Sequence, residues 1–292
     1  MTLMESTLPK ISVITPSFNQ GQFIEQTILS VISQHYPNTE YIIMDGGSTD
    51  NTIDIIKKYE QNITHWQSQK DNGQASAINE GFKRATGDIL CWLNSDDMYM
   101  PGVFNKIAKH FSESDKAKIV FGNCLHFTEG QKKTRGSNVV AASEKYKLSL
   151  CDFVIQPSSF WNKKTWDTVG PLNEKLTYTF DWDWFIRAEK KGVEFFPVQD
   201  YFSLYRIHEA HKSGSGDKKR TEELKQIVES YNDKKLSKAF NKWIDMYVRK
   251  SFLSKTIDAG QRLNFTFINA IARLIFFPGL SKKEYLNIVA MN

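Results

Sequence analysis

The chain has 292 residues, of which 40% are hydrophobic and 13% aromatic, a composition that excludes a disordered or collagen-like protein and a disulfide scaffold. It is long enough for one large α/β domain with an appendage. The three cysteines lie far apart, with no CxxC pair and no Cys/His cluster, so a zinc site is not expected. Isolated, buried thiols indicate a reducing compartment.

The charge is uneven along the chain. Residues 218–292 carry 15 Lys and Arg against 7 Asp and Glu, whereas the formal net charge of the whole chain is +5. The basic character therefore belongs to the tail. We see no basic, aromatic-lined motif typical of nucleic-acid binding, so no nucleic-acid partner is expected.

Strands and helices alternate over the first 110 residues. Runs of β-branched residues predict strands, and apolar residues at helical spacing predict the helices between them. In chain order the pattern predicts a strand over 10–15, a helix over 21–35, a strand over 41–44, a helix from Asp50 or Asn51 to about 59, a helix over 74–84, a strand over 88–93 and a helix opened by Pro101. This alternation is typical of an α/β fold with a mostly parallel sheet flanked by helices.

The pattern changes after about residue 119. The sequence predicts further strands over 119–122, 159–161 and 194–198, a loop over 128–137 and a helix over 179–191. The chain from 218 onward reads as helices. We therefore predict a body over 1–217, with halves at about 9–118 and 119–217, and a basic helical C-terminal extension over 218–292.

Polar clusters follow three of the predicted strands. They are Thr15-Pro16-Ser17, Asp45-Gly46-Gly47 and Asn94-Ser95-Asp96-Asp97. Ligands of parallel α/β sheets bind beyond the carboxyl ends of the strands, so the three clusters are expected to line one crevice. Burying an unpaired carboxylate costs several kcal/mol. A divalent cation removes that cost and then attracts phosphate oxygens, which indicates a site for a nucleotide diphosphate. The alternative is a solvated carboxylate pair before the helix that Pro101 opens.

The motifs form an ordered series at residues 12–19, 45–50, 71–74, 87–88 and 94–97. This series resembles the family 2 glycosyltransferases, inverting enzymes with the GT-A fold, over roughly residues 9–210. The resemblance implies a metal-dependent enzyme that moves a sugar from a nucleotide-diphosphate sugar to a hydroxyl of a glycan or lipid-linked glycan, in the biosynthesis of a cell-surface polysaccharide such as lipopolysaccharide O-antigen. It makes residues 9–118 the nucleotide-binding half and 119–217 the acceptor half.

The resemblance also implies roles for individual residues. The turn at 15–17 would hold the nucleotide base through backbone groups. Asp45 would accept a hydrogen bond from a base imide, which favours a UDP-sugar, with dTDP- and GDP-sugars as the other donors. The full set of implied donor-binding residues is Thr15, Pro16, Ser17, Asn19, Asp45, Gly47, Asp71, Gly73, Gln74, Asn94, Ser95, Asp96 and Arg206.

The implied cofactor is Mn²⁺ or Mg²⁺, because hard oxygen ligands suit these ions. Asp97 would be the principal ligand, with Asp96 and His208 beside it. His208 as a structural hydrogen-bond partner is the alternative. Residues 211–217 resemble a flexible flap over the donor.

The resemblance places a carboxylate base at the start of a helix that faces the acceptor. Asp181 aligns with that base, and Asp183 follows two residues later. Residues two apart on a helix do not share a face, so only one is expected to reach the acceptor, and Asp181 is favoured. Helix capping by Asp181 and a salt bridge by Asp183 are the alternatives. Trp182 and Trp184 either stack on acceptor sugars or pack in the core.

The expected location is the cytoplasm, in association with the inner face of the plasma membrane if the tail binds it. Residues 263–277 contain 11 apolar residues in 15, too few to span a bilayer. They either pack on the body or lie in an anionic membrane interface. The chain lacks the Gln-x-x-Arg-Trp motif of processive relatives, so single sugar addition is expected. A catalytically silent nucleotide-sugar-binding scaffold is the rival function.

Overall fold

A computed structural model describes residues 8–111, 116–132, 134–208, 218–249, 257 and 266–290. The chain divides into two compact units, one comprising residues 1–140 and 154–209 and the other comprising 141–153 and 210–292. The segment predicted to form a flap, 211–217, and the boundary predicted at 217 lie outside the described residues.

The strands are β1 (Ile11–Ser17), β2 (Thr39–Asp45), β3 (His65–Ser68), β4 (Ile89–Trp92), β5 (Met98–Tyr99), β6 (Lys118–Phe127), β7 (Arg135–Gly136), β8 (Ser159–Asn162) and β9 (Glu194–Arg206). The helices are α1 (Ile24–Ile32), α2 (Thr52–Lys58), α3 (Gln74–Arg84), α4 (Val103–Phe111), α5 (Val139–Lys145), α6 (Lys163–Val169), α7 (Phe180–Lys190), α8 (Lys218–Tyr231), α9 (Lys234–Val248), α10 (Thr266–Phe276) and α11 (Lys282–Val289).

The described strands of the first unit form one mixed sheet in the order β3-β2-β1-β4-β8-β6-β9-β5, with β7 paired to β6. The strands β3, β2, β1 and β4 are all parallel, as predicted for the first half of the chain. Strand β8 runs antiparallel to both β4 and β6, and β9 is parallel to β6. The predicted α/β class with helices around the sheet and a helical C-terminal part is confirmed.

The parallel strands β1, β2 and β4 are buried along nearly their whole length, as is typical of parallel strands that are covered on both faces. Every residue of β1 is buried. Helix α1 buries Ile24, Thr27, Ile28 and Val31, a spacing that forms one apolar stripe facing the sheet. This packing fixes the ends of β1, β2 and β4 relative to one another.

The structure extends the prediction in the second half of the unit. The strands β6 and β9 are longer than the runs predicted at 119–122 and 194–198, and their register shifts between Phe121 and Cys124. Part of the predicted loop over 128–137 pairs with β6 as β7. Strand β3 was not predicted, because its four residues are half-buried or exposed and show no apolar alternation.

The second unit is helical in its described residues. Its helices begin with side-chain caps at Asp233, which accepts from the Leu236 amide, and at Ser281, which forms a reciprocal capping box with Glu284. Residues 141–153 belong to this unit, where Asn232 donates to the Ser149 carbonyl at 2.8 Å. None of the described helices is long and apolar enough to cross a membrane.

A buried carboxylate ties the first strands together at their amino-terminal end. Glu40 accepts hydrogen bonds from the Ser12 hydroxyl at 2.5 Å and from the Thr86 amide at 2.7 Å. Lys10 lies 3.3 Å from the same carboxylate. Burial raises the pKa of Glu40, but the hydrogen bonds from Ser12, Thr86 and Lys10 outweigh it and bring the pKa below its ordinary 4.5.

We expect Glu40→Gln to lower the free energy of unfolding by about 1.5–3 kcal/mol, because hydrogen bonds to a charged group are lost. Since the folded pKa lies below the unfolded one, the carboxylate stabilises the fold above the unfolded pKa. This contribution is lost as the pH falls through the lowered pKa. Urea unfolding at pH 7 and at acid pH measures both effects.

Glu80→Gln is the matched control, since Glu80 is an exposed carboxylate paired with Lys83 and Arg84. Exposed pairs contribute little to stability, so its effect should be smaller. Equal effects of the two substitutions would contradict a stabilising role for the buried network.

Candidate active site

The structure brings the polar clusters at the ends of β1, β2 and β4 to one edge of the sheet. Ser17 is paired with Asp45, and Asp45 with Ser68. The Gly46 amide donates to the Ser17 carbonyl at 2.8 Å. On the other side of β1, the Leu93 amide donates to the Ile14 carbonyl at 2.9 Å, which places 94–97 beside 15–17. The predicted convergence of these clusters is therefore present in the fold.

Asp45 holds the turn that follows β2. Its side chain is buried, and its Oδ2 accepts from the amides of Gly47 and Ser48 at 3.0 and 2.8 Å and from the Ser68 hydroxyl at 2.7 Å. Gly47 has a φ of +87°, in the left-handed region that favours glycine. Asp45 thus shapes the loop, and its contact with a nucleotide base stays a prediction.

The loop after β1 is fastened to the loop after β2 through Asn19. Its amide donates to the Ser48 hydroxyl at 2.7 Å, and its side-chain oxygen accepts from the Thr49 amide at 2.9 Å. The Thr15 hydroxyl is buried and accepts from Tyr41. The Ser17 hydroxyl is buried and has no hydrogen-bond partner among the described residues. An unsatisfied buried hydroxyl at the mouth of the sheet is available to a ligand.

The segment 71–74 closes one side of the same edge. Asp71 accepts from the Gly73 amide at 2.7 Å and lies against Gly46, where an added Cβ would come within 3.0 Å of its Oδ2. The Gln74 side chain donates to Asn94 Oδ1 at 2.8 Å. The segment is therefore connected directly to the end of β4.

Sequence reasoning missed Gln156, which supports the end of β4. It is buried in a short 3-10 turn, donates to the Trp92 carbonyl at 2.7 Å and lies 3.3 Å from the Asn94 amide group. Ser95, also buried, follows Asn94. The one available signal was the polar run 156–158 directly before the strand predicted at 159–161.

Asp97 is the most unusual residue of the site. Its side chain is 1% exposed, its Oδ1 accepts from the Arg206 amide at 3.1 Å, and its Oδ2 is buried without a partner among the described residues. Burial, and then the charge of Asp96, raise the pKa of Asp97 well above its ordinary value. A buried, unsatisfied carboxylate oxygen beside a second carboxylate fits a divalent cation, which would supply the missing partner.

Asp96 and His208 lie together next to Asp97. His208 Nε2 is 3.0 Å from Asp96 Oδ2, and its ring packs on Phe23 with 4.5 Å between centroids. In the parts of the chain that the structure describes, no three His, Cys, Asp or Glu side chains form a metal-binding group. Mg²⁺ is commonly held by one or two carboxylates together with substrate phosphates, so Asp96 and Asp97 suffice as the protein's share.

Arg206 is buried at the end of β9. Its Nε donates to the Asp96 carbonyl at 3.0 Å, and its two terminal nitrogens donate to Gln26 and Glu129. The predicted phosphate contact would have to be made by a guanidinium whose three nitrogens already have protein partners.

The two candidate bases on α7 lie in different environments. Asp183 is buried and pairs with Arg187 at 2.9 Å, which matches the salt-bridge alternative. Asp181 lies in the first turn and is partly exposed. Phe180 packs on Trp92 with 6.4 Å between ring centroids, so the start of α7 lies against the end of β4.

Trp182 and Trp184 are both buried in the core. Trp184 donates to the Gly170 carbonyl and packs on Trp161. Of the two alternatives for this pair, core packing is correct, and stacking on acceptor sugars is excluded by their burial.

Comparison with known proteins gives the same grouping of motifs. The family model for glycosyl transferase family 2 matches residues 12–178. An uncharacterised glycosyltransferase of Nostoc sp. is 29% identical over 217 residues, a match that covers 69% of this chain and 66% of that protein. TuaG of Bacillus subtilis, a glycosyltransferase named for teichuronic acid biosynthesis, is 35% identical over 130 residues, 44% of this chain and 52% of its own length.

Solved structures share the fold at low sequence identity. TarS 1–349 of S. aureus, in complex with UDP-GlcNAc, superposes with a TM-score of 0.62 at 16% identity, covering 96% of this chain and 89% of that one. The mannosyltransferase PcManGT of Pyrobaculum calidifontis, in complex with GDP-Man and Mn²⁺, gives 0.61 at 16% identity, over 98% and 87%.

The common architecture is the GT-A fold predicted from the sequence. The matched region contains the motifs that meet at the carboxyl edge of the sheet, from Thr15 to Asp97. Since the family model covers more than half of the chain, the protein belongs to glycosyl transferase family 2.

Proposed function

We propose that the protein is an inverting glycosyltransferase that transfers a sugar from a UDP-sugar, with a divalent cation, to a hydroxyl of a surface-glycan acceptor. The observation that carries the proposal is the buried, unpartnered Oδ2 of Asp97 beside Asp96, at the edge where the other family motifs meet. The family relatives include a protein named for teichuronic acid biosynthesis, which supports a cell-surface polymer as the acceptor class.

Asp97 and Asp96 would hold Mn²⁺ or Mg²⁺, with His208 hydrogen-bonded to Asp96. Such an ion, when bound, stabilises the negative charge that develops on the departing diphosphate. Protein ligands for the donor would come from Ser17, whose hydroxyl has no described partner, and from the backbone of the neighbouring turns. The solved structure of PcManGT, which shares the fold, is a complex with GDP-Man and Mn²⁺, and this supports a divalent cation here.

Asp181 would act as the base. Its carboxylate takes the proton of the acceptor hydroxyl while the oxygen bonds to the anomeric carbon of the donor. The bond from that carbon to the diphosphate oxygen breaks, and the nucleoside diphosphate leaves with the electron pair. In-line attack inverts the anomeric centre, so an α-linked donor gives a β-linked product.

The second unit supports peripheral contact with an anionic membrane. The apolar residues Ile271, Leu274 and Ile275 of α10 lie on one helix face, and the last two are 64% and 63% exposed. Lys282 and Lys283, which follow in the chain, are also exposed. Exposed apolar side chains near lysines are typical of helices that lie in the interface of the cytoplasmic leaflet. Three buried free cysteines agree with a reducing location.

The first test is calorimetric titration of UDP with and without Mn²⁺. We expect the wild type to bind UDP only in the presence of Mn²⁺. Asp97→Ala should lose this Mn²⁺-dependent binding, because the principal carboxylate ligand is gone. Asp200→Ala, which removes an exposed carboxylate paired with Lys106, is the matched control and should bind like the wild type. Absence of binding to UDP, dTDP and GDP alike would contradict the proposed function.

The second test separates the carboxylates of α7. Asp181→Asn should lower kcat by about 10²–10⁴-fold, the usual contribution of a general base, while UDP binding stays unchanged. Asp183→Asn should mainly lower the melting temperature, because it breaks the buried pair with Arg187. The reverse pattern, with a stable and inactive Asp183 variant, would make Asp183 the base.

The third test measures sedimentation with anionic and zwitterionic phospholipid vesicles. We expect the wild type to bind the anionic vesicles, and the double variant Leu274→Ser, Ile275→Ser to bind about tenfold or more weakly, given the free energy of burying two aliphatic side chains. Leu29→Ser, at an exposed position of the first unit, is the control. Equal binding of all three proteins would exclude α10 as the contact.

A further inference from the structure

Arg206 is held in place on every side of its guanidinium group. The ring centroids of Phe23 and Phe127 lie 4.8 and 4.9 Å from its central carbon. Around its edge, Nε donates to the Asp96 carbonyl at 3.0 Å, and the terminal nitrogens donate to Gln26 and Glu129. The residue is 1% exposed.

These contacts leave the side chain little capacity for a ligand. A guanidinium that binds a diphosphate does so with its planar edge, through paired N–H groups. Here three of the five N–H donors are directed to a main-chain carbonyl and two side-chain oxygens, and the other two are buried with the rest of the side chain. A diphosphate could reach the remaining donors only if Arg206 or the residues that cover it moved, because the side chain is 1% exposed.

The same residue is bonded to both members of the carboxylate pair. Its backbone amide donates to Asp97 Oδ1 at 3.1 Å, and its side chain fixes the carbonyl of Asp96. Oδ1 of Asp97 is thereby occupied, and Oδ2 is the oxygen left without a partner. The main-chain amide at position 206 thus leaves Oδ2 of Asp97 as the oxygen without a partner, and the Arg206 side chain holds the peptide between Asp96 and Asp97 against the end of β9.

We propose that Arg206 is a positioning residue for the Asp96-Asp97 pair and acts through these carboxylates instead of contacting the diphosphate. The inference rests on the proposed function, because it assigns the pair to a divalent cation. It also accounts for Gln26, a residue of α1 whose side-chain oxygen holds one terminal nitrogen of Arg206 at 2.5 Å.

The two roles of Arg206 predict different binding behaviour. A positioning residue sets the affinity for the cation, so its loss should raise the Mn²⁺ concentration that half-saturates UDP binding. Substitutions that disturb the orientation of metal ligands typically weaken metal binding by about 10–100-fold. A phosphate-binding arginine instead sets the affinity for UDP at saturating Mn²⁺.

The experiment is a Mn²⁺ titration of UDP binding, followed by calorimetry, for the wild type, Arg206→Lys and Gln26→Leu. Positioning predicts a Mn²⁺ half-saturation raised about 10–100-fold in Arg206→Lys and raised severalfold in Gln26→Leu, with UDP affinity restored at saturating Mn²⁺. Gln22→Leu, an exposed glutamine just before α1, is the matched control and should behave like the wild type.

Gln26→Leu keeps the test decisive if Arg206→Lys fails to fold, because Gln26 is exposed and its loss leaves the core intact. The positioning role would be overturned if Gln26→Leu had an unchanged Mn²⁺ half-saturation and Arg206→Lys bound UDP more weakly at saturating Mn²⁺. That result would support a phosphate contact. A wild type that binds UDP equally well without Mn²⁺ would overturn the metal-dependent function, and the positioning role with it.

Discussion

A carboxylate oxygen of Asp97 lies in the interior of the protein without a hydrogen-bond partner in the described structure. Placing such a group in a low-dielectric environment costs several kcal/mol. Hydrogen bonds to the other oxygen atoms of Asp97 must offset part of that cost. Thr27 on α1 donates to the Asp97 carbonyl, and the amide of Arg206 donates to its other carboxylate oxygen. Residues near both ends of the first unit thus donate hydrogen bonds to Asp97. Such support of a buried carboxylate is typical of a ligand site and not of an ordinary apolar core.

Two buried carboxylates of the described structure, Asp183 in a salt bridge and Asp97 in a carboxylate pair, have different surroundings. Asp183 has a cationic partner one helical turn away, so its charge is balanced within the fold. Asp97 has a like charge beside it in Asp96 and keeps an open oxygen. The first arrangement stabilises a helix, whereas the second is destabilising until a cation or another donor arrives. Asp181 belongs to neither of these pairs and is partly exposed.

The parallel half of the sheet was predictable because strands covered on both faces are continuously apolar, and the polar residues that end them mark the ligand edge. Strand β3 was not, since it is a short polar strand whose pairing with β2 leaves no pattern in the sequence. Gln156 contacts the end of β4 at Trp92, which lies 64 positions away in the chain. Arg206 contacts Asp97, which lies 109 positions away. The position of Arg206 depends on the register of β6 and β9, which shifts at an irregularity near residues 121–124 and which no local periodicity encodes.

The charges around Arg206 bear on the proposal that a divalent cation binds beside it. Its single positive charge faces the carboxylate of Glu129 on one edge and carbonyl oxygens on the others. Asp96 and Asp97 are reached through a main-chain carbonyl and a main-chain amide, so neither carboxylate forms an ion pair with the guanidinium in these contacts. Among the groups described there, the carboxyl groups of Asp96, Asp97 and Glu129 outnumber the single guanidinium. In the proposed function, an arginine arranged in this way would hold the main chain of the Asp96-Asp97 pair and leave both carboxyl groups to a divalent cation with open phosphate positions.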